Sequence, residues 1–399
     1  SGVTGMRIKD VNSGATRDLA KRTVSFVVND SFTDSNTLTR DIALVKEDLN
    51  ALFYTARHTS GVRIFDGVFR LNTTTGEFGF PYVVPGHEEG ALLLANGTTL
   101  LAASRNLAPV VGGGGEGEEG GYFENNFVRS ADRAAVIRFP DRATLIADDS
   151  ANAPVDPEGM VLDGNMLYVA DTRSSLPGVA PVLGGVIRRY NATTGEFLNE
   201  ITSNGYAGLF HPRGLVFGPD DSLYVTLYDP NVDANGNQTN PGYGAILKID
   251  AVSPAPVVVA FNNGDATLDA GETPDLHNPG SLVFGPDGKL YVTTRSPDPD
   301  ALDKILVLDP IASFAQVDHI EISRVSEVPL HPRAMLFGPD GKLFVSVNEP
   351  DDPDPFGHSN GYLRSYDVTT KDFTVTATWG GGPIGYFTFG YTNPKTLAF

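Results

Sequence analysis

The sequence predicts an all-β fold, a seven-bladed β-propeller, and three observations favour it. One apolar strand–turn–strand pattern occurs four times, at 157–169, 211–225, 279–292 and 331–345. Three of the copies place a Gly-Pro-Asp turn between the two apolar runs. A repeat of roughly 50 residues built from such hairpins is typical of propellers.

Each repeat predicts two strands of one blade, and β-branched and aromatic residues alternate along them as strands require. No long helix is predicted. The innermost strands are expected to begin near Ile42, Gly90, Gly159, Gly214, Ser281, Ala334 and Thr396. The second strands are expected to begin at Leu52, Leu100, Leu167, Leu223, Leu290 and Leu343.

Ring closure is predicted from the two chain ends. The last repeat stops at its first strand, Thr396–Phe399, and residues 1–41 contain strand-like runs that could supply the rest of that blade. The N- and C-terminal strands are therefore expected to share one blade, which leaves no open sheet edge. The whole chain, 1–399, is then a single propeller domain. A six-bladed ring with a dangling tail is the alternative.

Composition narrows the classes of partner. The chain has 49 acidic and 29 basic residues and a net charge of −20. Nucleic acids and anionic membranes are not expected as partners, because attraction to phosphate needs the opposite sign. The chain has no cysteine, so no disulfide framework is predicted. A monomer is expected.

Five Asn-x-Ser/Thr sequons favour a secreted glycoprotein, although Asn and Thr are also good turn residues. The sequons stand at Asn29, Asn72, Asn96, Asn191 and Asn237.

Loop lengths predict which face of the ring binds ligands. The Gly-Pro-Asp and Thr-Thr-Gly-Glu turns are short and uniform, whereas the connections at the other strand ends are long and unlike each other, and binding residues concentrate on such loops. We call that side the irregular face. Its long connections are Gly112–Gly121, Asp229–Tyr243, Phe261–Asn278, Ser296–Asp303 and Glu349–Asn360.

Superposed repeats place three rings of side chains at the mouth of the irregular face. The position before the innermost strand holds His87, Asp156, His211, Asn278, His331 and Asn393. The second ring position, two residues further along the chain, holds Glu89, Glu158, Arg213, Gly280, Arg333 and Lys395. The ends of the second strands hold Arg57, Arg105, Thr172, Tyr228, Arg295 and Asn348. Because guanidinium groups bind carboxylate or phosphate in a bidentate fork, an acidic protein that gathers them predicts an anion site.

His87 is the predicted catalytic base, because it holds the ring position without the His-Pro dipeptide of the repeat and lies near arginines and carboxylates. Arg57 and Arg105 are predicted to hold the substrate carboxylate. The alternative is that the repeated His-Pro-Arg elements only pack neighbouring blades. The predicted substrate-binding residues are His58, Glu89, Glu158, Arg173, His211, Arg213, Arg295, His331 and Arg333.

No cofactor is predicted to be required, and no metal site is assigned. Zinc on three ring histidines is disfavoured because the interleaved arginines would repel a cation. The loops that begin at Asp229 and Asn263 are similar to calcium loops but lack their full acidic spacing, which leaves a structural calcium open.

The His-Pro-Arg-Gly-Leu-Val-Phe-Gly-Pro-Asp repeats resemble those of NHL and gluconolactonase-like propellers. In gluconolactonase-type enzymes, Glu, Asn and Asp on inner strands hold a divalent metal. The matching ring here supplies Glu89 and Glu158, followed by Arg213, Gly280 and Arg333.

The predicted mouth is also similar in architecture and residue types to seven-bladed polysaccharide lyases, including fungal enzymes that cut rhamnose from glucuronate. That resemblance implies β-elimination: arginine neutralises the uronate carboxylate, and a histidine removes the C5 proton and then protonates the leaving 4-oxygen. An acidic oligo- or polysaccharide is the implied partner. A glycan- or peptide-binding propeller without catalysis, and a calcium-dependent lactonase or esterase, are the alternatives.

Overall fold

The computed structural model describes residues 7–9, 16–18, 51–60, 63–72, 78–83, 92–96, 99–103, 134–139, 143–172, 184–203, 206, 210–229, 243–250, 255–263, 271–298, 300–325, 328–338, 340–349, 361–379 and 384–389. Side chains are described for most of these from Leu101 to Thr376. Earlier strands and the last one are described by their backbone.

The described residues form an all-β propeller of six four-stranded antiparallel sheets and one separate two-stranded sheet. The two-stranded sheet pairs β1 (Arg7–Lys9) with β2 (Thr16–Asp18). The first blade consists of β3 (Ala51–Ser60), β4 (Arg63–Asn72), β5 (Phe78–Val83) and β26 (Ile384–Phe389). The second consists of β6 (Leu92–Asn96), β7 (Thr99–Ala103), β8 (Val136–Phe139) and β9 (Ala143–Ile146).

The next four blades follow the chain without exchange of strands. The third contains β10 (Pro157–Asp163), β11 (Met166–Asp171), β12 (Val186–Asn191) and β13 (Phe197–Ile201), and the fourth contains β14 (Pro212–Phe217), β15 (Leu223–Asp229), β16 (Tyr243–Ile249) and β17 (Val257–Asn262). The fifth contains β18 (Leu282–Phe284), β19 (Leu290–Thr294), β20 (Lys304–Asp309) and β21 (Ala315–Glu321), and the sixth contains β22 (His331–Phe337), β23 (Leu343–Asn348), β24 (Gly361–Tyr366) and β25 (Phe373–Trp379).

Six innermost strands close the described ring. Strands β6, β10, β14, β18, β22 and β26 contact one another in this order, and β26 returns to β6. The prediction of seven blades is therefore wrong. Strand β26 pairs with β3, so the innermost strand of the first described blade comes from 384–389. The predicted closure by 396–399 with strands of 1–41 stays a prediction, because 396–399 lie outside the described residues and 7–9 pair with 16–18 in the separate sheet.

Most predicted strand positions are confirmed, because the six predicted second strands are β3, β7, β11, β15, β19 and β23. Five predicted innermost strands, those near Gly90, Gly159, Gly214, Ser281 and Ala334, correspond to β6, β10, β14, β18 and β22. Ile42 and 396–399 lie outside the described residues, as does most of 1–41. Among the described residues, the only helix is the three-residue 3₁₀ helix Pro310–Ala312, and no helix is long and apolar enough to cross a membrane.

The repeated Gly-Pro-Asp turn stabilises each hairpin through its aspartate. In the fourth blade, Asp220 Oδ1 accepts the backbone N–H of Ser222 at 3.2 Å, and its Oδ2 accepts the Tyr224 hydroxyl at 3.1 Å. Asp287 makes the same two kinds of contact in the fifth blade. The strongest repeat in the sequence is therefore a structural element and lies opposite the irregular face.

Inner strands approach each other so closely that glycine is required. A Cβ on Gly159 would lie 2.1 Å from the backbone oxygen of Arg213, and one on Gly214 would lie 2.4 Å from that of Gly280. Thr226 Oγ1 also donates to the Gly280 oxygen across this boundary at 2.5 Å. The ring therefore holds the beginnings of the innermost strands in fixed positions at the irregular face.

Apolar side chains fill the spaces between blades. One cluster joins the third and fourth blades through residues such as Tyr168, Phe217 and Leu247, and another joins the fifth and sixth through Tyr291, Phe337 and Tyr366. The Tyr168–Phe217 and Tyr291–Phe337 ring pairs meet edge to face with centroids 5.2 and 5.1 Å apart. Burial of this kind is the main stabilising term of the scaffold.

Candidate functional site

The described part of the mouth centres on His331, which begins the innermost strand of the sixth blade. Its Nδ1 lies 2.7 Å from Asp303 Oδ2, and its Nε2 lies 3.2 Å from Arg295 Nη2. A carboxylate only accepts hydrogen bonds and a guanidinium only donates. The two contacts together therefore specify the tautomer that carries its proton on Nδ1 and has its lone pair on Nε2.

Asp303 is held rigidly beneath the histidine. Its side chain is 4% exposed, and its Oδ1 accepts the backbone N–H of Ser296 at 2.8 Å. Its backbone oxygen accepts the N–H of Ile322. Contacts from two separate segments, at Ser296 and Ile322, thus hold Asp303 in place, and its carboxylate in turn orients the imidazole of His331.

Asp303 interrupts a repeat of glycines. The position opposite the ring residue at the end of the second strand is Gly185 in the third blade, Gly244 in the fourth and Gly361 in the sixth, but an aspartate in the first and fifth blades, Asp66 and Asp303. A Cβ on Gly185 would lie 2.7 Å from Pro212 Cδ, and one on Gly244 would lie 2.1 Å from a backbone oxygen of the next blade. Packing therefore favours glycine at this position, and the fifth blade carries an acid there instead.

The acid distinguishes His331 from His211, its equivalent in the repeat. His211 precedes the innermost strand of the fourth blade, where the matching residue of the preceding blade is Gly185. His211 is 8% exposed, whereas the His331 side chain is 25% exposed. The two His-Pro-Arg elements that look alike in sequence thus differ in surroundings, and His331 combines an acid partner with access to solvent.

Arg295 lies at the outer side of this group. It follows β19 and is exposed, and its backbone N–H donates to the His277 oxygen at 3.1 Å. Because its guanidinium is exposed, it can turn from the imidazole to an anionic group on a ligand at a small energetic cost. We call Asp303, His331 and Arg295 the mouth triad.

Arg213 links two blades. Its Nη1 donates to Asn278 Oδ1 at 2.7 Å, and its guanidinium lies 4.6 Å from the centre of the Tyr228 ring. All three residues come from the predicted rings. For Arg213, the alternative that this element packs neighbouring blades agrees with the geometry.

The other predicted residues are placed as follows. Glu158 lies in β10 and Arg333 in β22, both half-buried and both with partners. Arg57 and His58 lie in β3, whose backbone alone is described. Arg105 and three further predicted site residues, His87, Glu89 and Arg173, lie outside the described residues. The prediction that His87 is the base, with Arg57 and Arg105 as the carboxylate clamp, stays a prediction.

A gluconolactonase-type metal does not fit the described part of the inner ring. After Glu158 the matching positions hold Arg213, Gly280 and Arg333, which offer no anionic ligand. Among the described side chains, no group of three or more His, Cys, Asp or Glu residues is arranged to hold a metal. The two calcium-like loops lie largely outside the described residues.

A second concave region lies between the fourth and fifth blades. This cleft, between β17 and β21, has a volume of about 610 Å³. Its polar lining includes Glu272, Asp275, Gln316, Asp318 and His319. Lys304 binds Asp275 at 3.0 Å, and Lys371 binds Asp318 at 2.5 Å. Two of its acids, Asp275 and Asp318, are thus paired with lysines, unlike the arginine-rich mouth.

Comparisons with known proteins agree with the propeller fold. No protein-family model and no curated protein sequence matches the chain. Among solved structures, hydrazine synthase from Kuenenia stuttgartiensis is 11% identical, with a TM-score of 0.51, over 85% of this chain and 46% of that one.

Propellers of gluconolactonase type are also similar in fold. The periplasmic gluconolactonase of Pseudomonas aeruginosa is 16% identical, with a TM-score of 0.47, over 85% of this chain and 99% of that one. A protein described as a putative 6-phosphogluconolactonase from Bacteroides fragilis is 14% identical, with a TM-score of 0.44, over 85% of this chain and 97% of that one. At these identities the likeness concerns the fold.

His277, next to the mouth triad, predicts a pH dependence of stability. Burial lowers the pKa of its imidazole below the ordinary value of 6.5, with Lys304 acting in the same direction and Asp275 and Glu272 opposing it. Its Nδ1 is buried without a hydrogen-bond partner among the described residues. Because the unfolded chain binds this proton more readily, the free energy of unfolding should fall as pH drops below about 6.5.

Thermal unfolding between pH 7.5 and pH 5 measures this effect in the wild type and in His277→Phe. The variant should show a shallower fall in Tm over this range. An equally steep fall in both proteins would show that other groups cause it.

Proposed function

We propose that this propeller hydrolyses the lactone, or a related internal ester, of a sugar acid at the mouth of its irregular face. The mouth triad carries the proposal, because Asp303 stands where three other blades have glycine and fixes the tautomer of His331 whose Nε2 lone pair faces Arg295. An Asp-oriented imidazole beside a mobile guanidinium is suited to activating water against a carbonyl group.

The first step follows from these positions. The carbonyl oxygen of the substrate draws Arg295 away from His331 and accepts its N–H groups. The freed Nε2 takes a proton from water while the water oxygen forms a bond to the carbonyl carbon. Asp303 stabilises the resulting imidazolium, since a buried carboxylate favours a neighbouring cation.

The second step returns the proton. The ring carbon–oxygen bond breaks, the imidazolium gives its proton to the departing ring oxygen, and the product is an open-chain hydroxy acid. Its new carboxylate can pair with Arg295. No step in this scheme is routed through a metal.

The proposal is tested by incubating the protein with aldonolactones and uronolactones of differing ring size and measuring acid release against the spontaneous rate. The names of the two lactonase-type propellers supply the first substrates to try. Rates at the spontaneous level for every lactone would contradict the proposal. The same reactions are followed in a chelator, where turnover should persist.

β-Elimination at a uronic acid, the main expectation from the sequence, stays a separate prediction. It depends on His87 and Arg105, which lie outside the described residues, and on Arg57, whose side chain is not described. Its readout is also separate, because cleavage of a uronate-containing polysaccharide creates a carbon–carbon double bond that absorbs in the ultraviolet. Binding of an acidic saccharide with neither product would favour the recognition propeller.

A further inference from the structure

Arg364 carries a buried charge that the described structure does not compensate. It lies in β24, and the residue is 1% exposed. Nη1 donates to Ser323 Oγ and to the Tyr366 hydroxyl, both at 3.3 Å, and Nη2 donates to the Ser323 backbone oxygen at 3.0 Å. Nε has no hydrogen-bond partner among the residues that the structure describes. None of its described contacts is with a carboxylate.

The third blade contains the matching arginine with its charge compensated. Arg188 is opposite Val169 in the strand register, as Arg364 is opposite Val345. Arg188 Nε lies 2.7 Å from Asp171 Oδ2, and its Nη1 lies 3.8 Å from Glu200 Oε2. The same guanidinium position thus has two acids in one blade.

Both acids are valines in the sixth blade. Asp171 follows Val169 by two residues, and Val347 follows Val345 by two. Glu200 is the cross-strand partner of Arg188, and Val375 is that of Arg364. The sequence therefore keeps the arginine and replaces each of its two counter-charges by an apolar side chain.

Arg364 cannot lose its buried charge by deprotonation, because the pKa of an arginine side chain is too high in proteins. Tyr366 does not supply a negative charge either, since burial raises the pKa of its hydroxyl, an effect that Arg364 only partly offsets. An uncompensated buried cation is costly in free energy. Stacking on Phe373, whose ring centre is 4.2 Å away, offsets part of that cost.

The donors around Arg364 are suited to an anion. In the described contacts, the Ser323 and Tyr366 hydroxyls accept hydrogen bonds from the guanidinium, so their own O–H groups can donate elsewhere. Together with the free Nε–H they supply three donors. The short side chain of Val375, which is 44% exposed, covers this region where the matching blade has the longer Glu200. The partly exposed Val375 therefore stands on the side of Arg364 where a counter-charge is missing.

We propose that Arg364, Ser323 and Tyr366 form a binding site for a small monovalent anion of halide size, which replaces the missing carboxylates and stabilises the joint between the fifth and sixth blades. The site is separate from the mouth triad and does not depend on the proposed lactone hydrolysis.

The test compares thermal unfolding of the full chain as chloride replaces a bulky organic sulfonate at constant ionic strength. Wild-type Tm should rise with chloride, by on the order of 2 °C between none and saturation. Val375→Glu, which restores an acid at an exposed position, should unfold at a higher temperature without chloride and lose most of the chloride-dependent rise. Arg364→Met should lose that rise as well.

Bromide soaked into crystals locates the ion by anomalous scattering, and the peak should lie within hydrogen-bond distance of Arg364 Nε. The proposal is overturned by a wild-type Tm that does not respond to chloride, by an unchanged response in Val375→Glu or Arg364→Met, or by the absence of a peak at Arg364.

Discussion

Replacement of His331 by alanine is expected to lower kcat for lactone hydrolysis by about 10²–10⁴-fold, the usual contribution of a general base. The imidazole is the group of the mouth triad whose Nε2 can take a proton from water, and Asp303 holds it 2.7 Å away in the required tautomer. Stopped-flow or pH-stat assays of acid release measure the loss. Tm is measured in parallel, because a partly exposed side chain at a strand end should contribute little to folding.

Asp303→Asn tests the role of the carboxylate charge separately from the presence of the imidazole. The amide fills the same space, but it no longer supplies a negative charge to stabilise an imidazolium, and its N–H₂ group can reverse the hydrogen bond to Nδ1. We expect kcat to fall by about 10²-fold or more with little change in KM. His211→Ala, at the equivalent position where the matching residue of the preceding blade is Gly185, should affect stability or KM more than kcat. A larger fall in kcat for His211→Ala than for His331→Ala would place the chemistry elsewhere on the ring.

Replacement of Asp171 by asparagine is expected to lower the free energy of unfolding by about 3–5 kcal/mol, the range found when one partner of a buried ion pair is removed. Asp171 is fully buried and binds Arg188 Nε at 2.7 Å. It also accepts the backbone N–H groups of Val155 and Asp156 at 3.1 and 2.9 Å. Its loss would leave the Arg188 charge buried and loosen the segment before β10. Urea unfolding measures the change.

Two controls separate charge burial from general sensitivity. Asp220→Asn removes an ion pair with Lys248 of 2.6 Å whose side chains are about one-third exposed, and it should cost no more than about 1 kcal/mol. The double variant Asp171→Val with Arg188→Met removes both buried charges and should recover much of the loss. If the double variant is as unstable as Asp171→Asn, backbone contacts of Asp171 account for the effect.

The repeat made the strand positions predictable because it reflects backbone requirements. Gly-Pro-Asp turns need an aspartate that caps the hairpin, as Asp220 and Asp287 do, and such needs recur in each blade. The number of blades was harder to predict from the sequence. It depends on which strand completes the first sheet, and the pairing of β26 with β3 is a long-range contact that local patterns do not encode.

The candidate site was half predictable. The repeats predict His331 and Arg295 as ring positions with a substrate-binding role. They do not predict Asp303, because similarities between repeats do not reveal a residue that departs from them. The signal was a difference: three blades have glycine at this position, Gly185, Gly244 and Gly361, whereas the fifth has Asp303, as the first has Asp66. Where packing favours glycine, a charged residue indicates a separate requirement. Arg364 is a second such difference between repeats: the sixth blade keeps the arginine, but valines replace the two acids that pair with Arg188 in the third blade.

A fold alone does not decide an activity, so the proposal depends on the residues of the mouth. Lactone hydrolysis at this site requires that a sugar acid binds at the mouth triad. A crystal of the wild-type protein soaked with the aldonate product of its best lactone tests it most directly. We predict the carboxylate within hydrogen-bond distance of Arg295 Nη2, with the His331 Nε2 atom facing the former ester carbon. An aldonate bound instead in the cleft between β17 and β21, with the mouth triad unchanged and unoccupied, would contradict the claim.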